Sequence, residues 1–129
     1  MKDKRFVIQE HQTTKGVHWD LMLESGEVLS TFRLEQGPAQ VLVQPTRAEK
    51  IFDHPLRFLT YEGRVQQGTG RVHVVERGTY RTVESQDDRL VLDLSGTILK
   101  GPYTLARTGQ TEWRLSREGP NRDPYQSPR

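Results

Sequence analysis

The 129-residue chain contains no cysteine. Disulfide bridges and thiolate metal sites are therefore excluded, and a reducing compartment such as the cytoplasm fits this composition. No apolar run reaches the roughly 18 residues that a membrane-spanning helix needs, and the first segment, MKDKRFVIQEH, lacks the apolar stretch of a signal peptide. We therefore expect a cytoplasmic protein that does not enter the membrane.

The excess of charge of one sign is small, because 19 Lys and Arg stand against 17 Asp and Glu, for a net charge of +2. A field this weak does not by itself indicate nucleic-acid binding, so any recognition of phosphate has to be local. Apolar residues make up only 33% of the chain. The core must therefore be thin, as it is in small barrels and sandwiches.

The length allows about one domain. We expect a single domain over residues 1–117. The remaining segment, EGPNRDPYQSPR (118–129), is rich in proline and almost without apolar residues. We expect it to be irregular or disordered.

Eight segments alternate apolar and polar residues and are bounded by residues that favour turns. These predicted strands are 5–11, 17–24, 27–34, 70–77, 78–85, 89–96, 97–107 and 111–117. The connections ESGE, VERGTY, SQDDR and ARTGQ are typical of hairpins. The pattern predicts an all-β, mainly antiparallel fold, a small closed or partly closed β-barrel of about eight strands. One or two short helical turns are expected, with PTRAEKIF (45–52) as the candidate.

The segment HQTTKGVHWDLMLE begins with two histidines and an aspartate within ten residues, His11, His18 and Asp20. In a strand, His18 and Asp20 lie on one face, roughly 7 Å apart at Cα, while Trp19 and its apolar neighbours face the core. A hairpin at TTKG brings His11 opposite them. Two imidazoles and one carboxylate suit Mn²⁺, Zn²⁺ or Fe²⁺. Equally compatible with the spacing is a solvent-exposed strand face carrying a surface His–Asp pair.

His54, followed by Pro55, is a second candidate. An imidazole titrates near neutral pH, so it can act as an acid, a base or a phosphate ligand. The alternative is a surface histidine that ends a helix. The remaining histidine, His73, alternates with valines in a predicted strand and is interpreted as structural or exposed.

An ordered set of motifs carries a resemblance: FVIQEH, HWDLMLE, VLSTF, QGP, DHPL, GTGRVHVVERGTY, LKGPYTLAR and EWRL. In this order they resemble the 3′-phosphoesterase domain of bacterial and archaeal DNA ligase D, from about Arg5 to Arg117. That family is a small β-barrel that trims 3′ ends in DNA end repair, removing a terminal ribonucleotide and then the 3′-phosphate, with Mn²⁺. The resemblance implies that His11, His18 and Asp20 are catalytic metal ligands and that His54 contacts the phosphate.

The same resemblance implies the partners. They are 3′ ends of DNA or RNA–DNA strands, and any ligase or polymerase of non-homologous end joining that acts with the protein would be a separate chain. We expect a monomer.

Several positions depart from the family pattern. Met22 stands where an arginine is usual, Gln36 replaces a lysine, Phe58 a tyrosine and Phe52 an acid. Losing a charge-assisted phosphate contact costs several powers of ten in rate. Basic residues near the site in sequence are candidates to replace it: Arg47, Arg33 and Lys15, together with Arg57.

Two other functions therefore stay open. The protein is either a catalytically weak or inactive module that keeps a metal and binds a nucleic-acid end or a partner, or a phosphoesterase for a different, smaller substrate.

Overall fold

The computed structural model describes residues 3–65 and 70–118. Its strands are β1 (Lys4–Thr13), β2 (Gly16–Ser25), β3 (Val28–Leu34), β4 (Thr46–Pro55), β5 (Gly63–Arg64), β6 (Arg71–Gln86), β7 (Arg89–Gly96), β8 (Lys100–Arg107) and β9 (Glu112–Arg117). A four-residue helix, α1 (Pro38–Val41), and a 3₁₀ turn (Leu56–Leu59) complete the fold. Within the described part of the chain, no helix is long and apolar enough to cross a membrane.

Eight of the strands form a ring in the order β1-β2-β3-β4-β9-β8-β7-β6, and pairing of β6 with β1 closes it. Every pair in the ring is antiparallel. The short strand β5 adds to the free side of β6. The prediction of a small all-β barrel of about eight strands is confirmed.

The main core fills the ring with side chains that alternate along each strand. On β1 and β2 the inward residues are Phe6, Ile8, Leu21 and Leu23, and each is at most 4% exposed. The other strands, α1 and the β7–β8 connection contribute further buried side chains: Phe32, Leu34, Val41, Ala48, Tyr80, Leu92, Leu94, Leu99, Tyr103, Leu105, Trp113 and Leu115.

A second, smaller core lies on the opposite face of β1, β2 and β3. Its fully buried members are Val7, Met22 and Leu29. The segment that contains the 3₁₀ turn covers them with Leu56, Phe58 and Leu59, and Val74 of β6 packs at the side. Since both faces of these three strands are covered here, their sequences run as continuous apolar stretches such as Leu21–Leu23.

The helix predicted at 45–52 is wrong, because this segment belongs to β4. Thr46 and Ala48 are buried while Arg47 and Glu49 are exposed, which is the period-two pattern of a strand. The helical turns lie instead on either side, at 38–41 and 56–59.

The hairpin predicted at VERGTY is also wrong, because 70–77 and 78–85 join in the single long strand β6. Gly78 pairs with Phe6 of β1 and with Gly96 of β7. A Cβ at Gly78 would lie 2.2 Å from the carbonyl oxygen of Ser95. Gly78 therefore permits a close approach of strands. A glycine within a strand pattern can have this role instead of marking a turn.

The connections at ESGE, SQDDR and ARTGQ are confirmed as links between neighbouring antiparallel strands. The predicted tail 118–129 lies outside the described residues except for Glu118, whose backbone N–H donates to the carbonyl of Pro102 at 2.8 Å.

Candidate metal centre

The β1–β2 hairpin positions the first histidine pair. Thr13 and Gly16 close the turn, and the register that follows places His11 directly opposite His18. Both side chains lie on the outer face of the barrel, since Ile8 and Leu21 point inward from the same strands. The predicted hairpin at TTKG is thus confirmed, and it brings together residues seven positions apart.

The donor atoms of three side chains converge. His11 Nδ1 lies 3.1 Å from His18 Nε2, and His18 Nε2 lies 3.6 Å from Asp20 Oδ2. One ligand atom from each residue falls within 4.8 Å of the others. The two imidazole rings meet edge to face at 72°, so their nitrogen lone pairs can be directed at a common point.

These separations fit a shared divalent cation. Donors roughly 2.1 Å from one ion, at angles of about 90–110°, lie roughly 3.0–3.4 Å apart. The His11–His18 separation of 3.1 Å lies within this range, and the His18–Asp20 separation of 3.6 Å lies slightly above it. Two imidazoles and one carboxylate leave coordination positions open for water or a substrate oxygen, as in other sites of this donor set.

Asp20 adds an electrostatic argument for a cation. It is 4% exposed, and a buried carboxylate needs a compensating charge or hydrogen bonds. Its Oδ1 has no hydrogen-bond partner among the residues that the structure describes. The nearest cation is Arg33, directly opposite on β3, with Nε 3.6 Å from Oδ1.

His54 reaches the same face from β4. Leu29 pairs with His54, but Thr31 pairs with Ile51, so β4 carries one residue more than β3 between these pairs. Such a bulge redirects the side chains next to it. Here His54 Nδ1 lies 2.9 Å from Thr31 Oγ1.

The hydrogen bonds of Thr31 assign the tautomer of His54. The single hydroxyl proton of Thr31 is donated to the carbonyl of Leu29 at 3.0 Å. The hydroxyl oxygen then has a lone pair with which to accept a hydrogen bond from His54 Nδ1–H, and this arrangement satisfies both groups. A neutral His54 then carries its proton on Nδ1, and Nε2 has the lone pair.

Burial lowers the pKa of His54 below its ordinary value of 6.5. The negative charge of Asp20 and a backbone hydrogen bond with Phe52 oppose this effect and raise the pKa, whereas Arg33 lowers it further. The net shift favours the neutral imidazole near neutral pH.

The remaining basic candidates have other surroundings. Arg47 is 74% exposed and pairs with Glu35 and Glu112. Lys15 is exposed in the β1–β2 turn. Arg57 lies over the rings of Phe58 and Tyr61. Arg33 is thus the basic residue that the fold brings to Asp20.

An open groove of about 580 Å³ runs from His18 across the end of β3 and the start of β4. His18 and Arg33 line one part of it, and Gln36, Arg47 and Glu112 line the other. Of the three convergent donors, His18 lines the groove, so a molecule in the groove can reach this histidine and Arg33 from solvent.

Met22 and Phe58 do not point into the groove. Both belong to the second core on the outer face. The two positions where the family pattern has an arginine and a tyrosine are thus part of one apolar cluster in this chain. The polar site and the apolar cluster lie side by side on the same strands.

Two polar residues of this region were not identified from the sequence. Gln9 is fully buried, and its Nε2 donates to the carbonyls of Phe58 and Tyr61, each at 2.8 Å. Thr31 is likewise fully buried beside His54. A polar residue inside an apolar stretch, as Gln9 is in FVIQ, was the available signal.

The fold and the donor set together define a class: a small antiparallel β-barrel that carries two histidines, one aspartate and a further histidine on its outer face. Residues 9–107 match the family described as the DNA Ligase D 3′-phosphoesterase domain. The chain belongs to this family.

Curated relatives agree with that assignment. The chain is 32% identical over 115 residues to the multifunctional non-homologous end joining protein LigD of Mycobacterium bovis, a match that covers 84% of this chain and 15% of the relative. It is 28% identical over 123 residues to the proteins of the same name from Mycolicibacterium smegmatis and Pseudomonas aeruginosa. The chain therefore spans about one seventh of the length of these relatives.

The lowered pKa of His54 has a consequence for stability. Since the folded-state pKa lies below the unfolded-state value of 6.5, the contribution of His54 is complete above that value and is lost as the pH falls through the folded-state pKa. We expect His54→Asn, which keeps a donor for Thr31 but does not titrate, to lose less stability than the unchanged protein between about pH 7.5 and 5.5. Urea unfolding in a chelating buffer measures both slopes, and equal slopes would contradict the buried, neutral imidazole.

Proposed function

We propose that this protein is a metal-dependent phosphoesterase that processes 3′ ends of DNA or RNA–DNA strands, removing a 3′-ribonucleotide and a 3′-phosphate. The observation that carries the proposal is the convergence of His11, His18 and Asp20 beside His54. Membership of the ligase D 3′-phosphoesterase family supports the reaction class. The names of the relatives support a role in non-homologous end joining.

His11, His18 and Asp20 would hold the ion, with Mn²⁺ proposed first and Zn²⁺ or Fe²⁺ fitting the same donors. When bound, a divalent ion neutralises phosphate charge and makes water a better nucleophile. In this reaction a water oxygen attacks phosphorus, and the bond from phosphorus to the leaving oxygen breaks. For a 3′-phosphate, the products are a 3′-hydroxyl end and inorganic phosphate.

His54 is proposed to contribute by donating a hydrogen bond to the phosphate from a fixed orientation. Thr31 holds the ring through Nδ1, which directs Nε2 to the phosphate in our proposal. A bound phosphate dianion favours the protonated ring, because an opposite charge stabilises the charged form. Protonated His54 then donates to a phosphate oxygen as negative charge develops there.

Arg33 is proposed to supply the phosphate contact that Met22 cannot make. Its Nε is buried and has no hydrogen-bond partner among the described residues, yet the side chain is 40% exposed toward the groove. A guanidinium presents five N–H donors. Nε faces Asp20 at 3.6 Å, and we propose that the donors at the exposed end of the side chain contact the phosphate. Arg47 and Lys15 are proposed as weaker contacts to the rest of the strand.

A second function has one specific observation in its favour. Met22 is 1% exposed inside the second core, so this position offers no donor to substrate. A protein that retains the metal and the groove but lacks sufficient stabilisation of the developing charge would bind a 3′ end without turning it over. Binding of 3′ ends without product distinguishes this module from the enzyme.

Removal of one metal ligand tests the cation site. We expect His18→Ala to weaken Mn²⁺ binding by more than about 100-fold, because even residues that only orient a ligand contribute 10- to 100-fold. The matched control is His73→Ala, a histidine whose side chain is 49% exposed and which pairs with Glu10. Isothermal titration calorimetry should give the unchanged affinity for that control. An unaltered affinity in His18→Ala would exclude the three-residue site.

Processing of defined ends tests the reaction. We expect a primer–template with a 3′-phosphate or a 3′-terminal ribonucleotide to be trimmed when Mn²⁺ is present and to stay intact with a chelator. We expect Arg33→Met to slow trimming by about 100- to 1,000-fold, the usual effect of losing one preorganised donor. Gel analysis of labelled strands measures both.

The matched control for Arg33 is Arg81→Gln. Arg81 is 71% exposed and pairs with Asp3 on another part of the ring, so its loss should leave the rate unchanged. A correctly folded protein that trims neither substrate with any of the three metals is not the proposed enzyme. Full activity of Arg33→Met would show that Arg33 does not supply the phosphate contact.

A further inference from the structure

Phe52 is an aromatic side chain with a large open surface beside the site. It is 72% exposed, and it lies in the bulged part of β4, two residues before His54. Single exposed apolar residues are common on protein surfaces and need no explanation by themselves. Phe52 differs from such residues because its ring contacts His54.

The ring of Phe52 is stacked on the imidazole of His54. Their centroids are 4.8 Å apart, and the planes differ by 17°. His54 is itself fixed by Thr31 and meets Phe58 edge to face. One face of the Phe52 ring therefore packs on the imidazole of His54. Because Phe52 is largely exposed, the opposite face of its ring is open to solvent.

The other aromatic rings nearby cannot offer such a face. Phe58 packs into the second core, and the guanidinium of Arg57 lies 5.0 Å from its ring centre. Tyr61 meets Phe58 edge to face and also lies under Arg57. Within this row of rings, Phe52 is the member with a flat surface available for a ligand.

The local charge does not oppose a polyanion. Asp53, the residue after Phe52, pairs with Lys50 at 3.7 Å. Arg33 lies near enough to His54 to affect its titration. A ligand with a phosphate beside His54 and a flat, uncharged ring beside Phe52 matches this distribution.

We propose that Phe52 stacks the nucleobase of the nucleotide that carries the scissile phosphate. The inference rests on the proposed function, and it deepens that function by naming a contact for the base. Stacking on an aromatic side chain tolerates any base, because every base presents a π-face. The protein then recognises a 3′ end by its phosphate and its terminal base together, without sequence preference.

Steady-state trimming of two 3′-phosphorylated strands tests the inference. One strand ends in an ordinary nucleotide, and the other ends in an abasic sugar. We expect Phe52→Ala to raise KM for the base-bearing strand by roughly 5- to 100-fold, as loss of one base–aromatic stack does, and to leave KM for the abasic strand unchanged. Phe52→Tyr should retain the KM of the unchanged protein. Val43→Ala, at another apolar residue that is 73% exposed, is the control and should have no effect.

A purely supporting role for Phe52 predicts a different result. If the ring only holds His54 in place, Phe52→Ala lowers kcat on both strands by the same factor and does not change the KM ratio. That outcome overturns the stacking proposal.

A binding measurement separates this inference from the proposed activity. The probe is a strand with 2-aminopurine as its terminal base and a non-hydrolysable 3′-methylenephosphonate, in the same Mn²⁺ buffer. We expect base fluorescence to be quenched by the unchanged protein and by Phe52→Tyr, and to be restored in Phe52→Ala. Quenching without trimming of natural ends would refute the activity and retain the stack. If the unchanged protein binds the strand and the fluorescence of the terminal base is not quenched, the stacking proposal is refuted.

Discussion

The pairing of β1 with β2 is the constraint on which the site depends. A slip of one residue would exchange the two faces of a strand. In the observed register, Phe6 and Ile8 enter the barrel with Leu21 and Leu23, while His11 meets His18 on the outside. The burial of the apolar side chains therefore fixes the register, and the register brings the polar donors together. Stability and the candidate metal centre arise from the same set of backbone hydrogen bonds.

The outer face of β1–β3 combines two environments. At one end, His11, His18 and Asp20 form a polar site, and His18 also lines the groove. At the other end, the 3₁₀ turn covers Val7, Met22 and Leu29, and Gln9 donates two hydrogen bonds to the backbone of the covering segment. This cover excludes water beside the site and half-buries His54, which lowers its pKa. The apolar cluster thus influences the chemistry of a histidine that it surrounds.

Much of this arrangement could be predicted from the sequence. Alternation in 17–24 was sufficient to place His18 and Asp20 on one face, because a strand has a period of two. The role of Met22 could not be predicted in the same way, since the segment that covers it lies more than 30 positions later and no local pattern marks the contact. The proximity of Arg33 to Asp20 depends on the β2–β3 register. The misinterpretation of 45–52 as a helix and of VERGTY as a turn shows that proline and glycine near a strand also serve bends and close approaches.

The central claim is that three side chains from one hairpin hold a single divalent ion. Crystals of the protein soaked in MnCl₂ and measured near the manganese absorption edge test it most directly. We expect one strong anomalous peak, roughly 2.0–2.3 Å from His11 Nδ1, His18 Nε2 and a carboxylate oxygen of Asp20. A saturating soak that leaves these three residues without a peak, or that places manganese on other ligands, would contradict it.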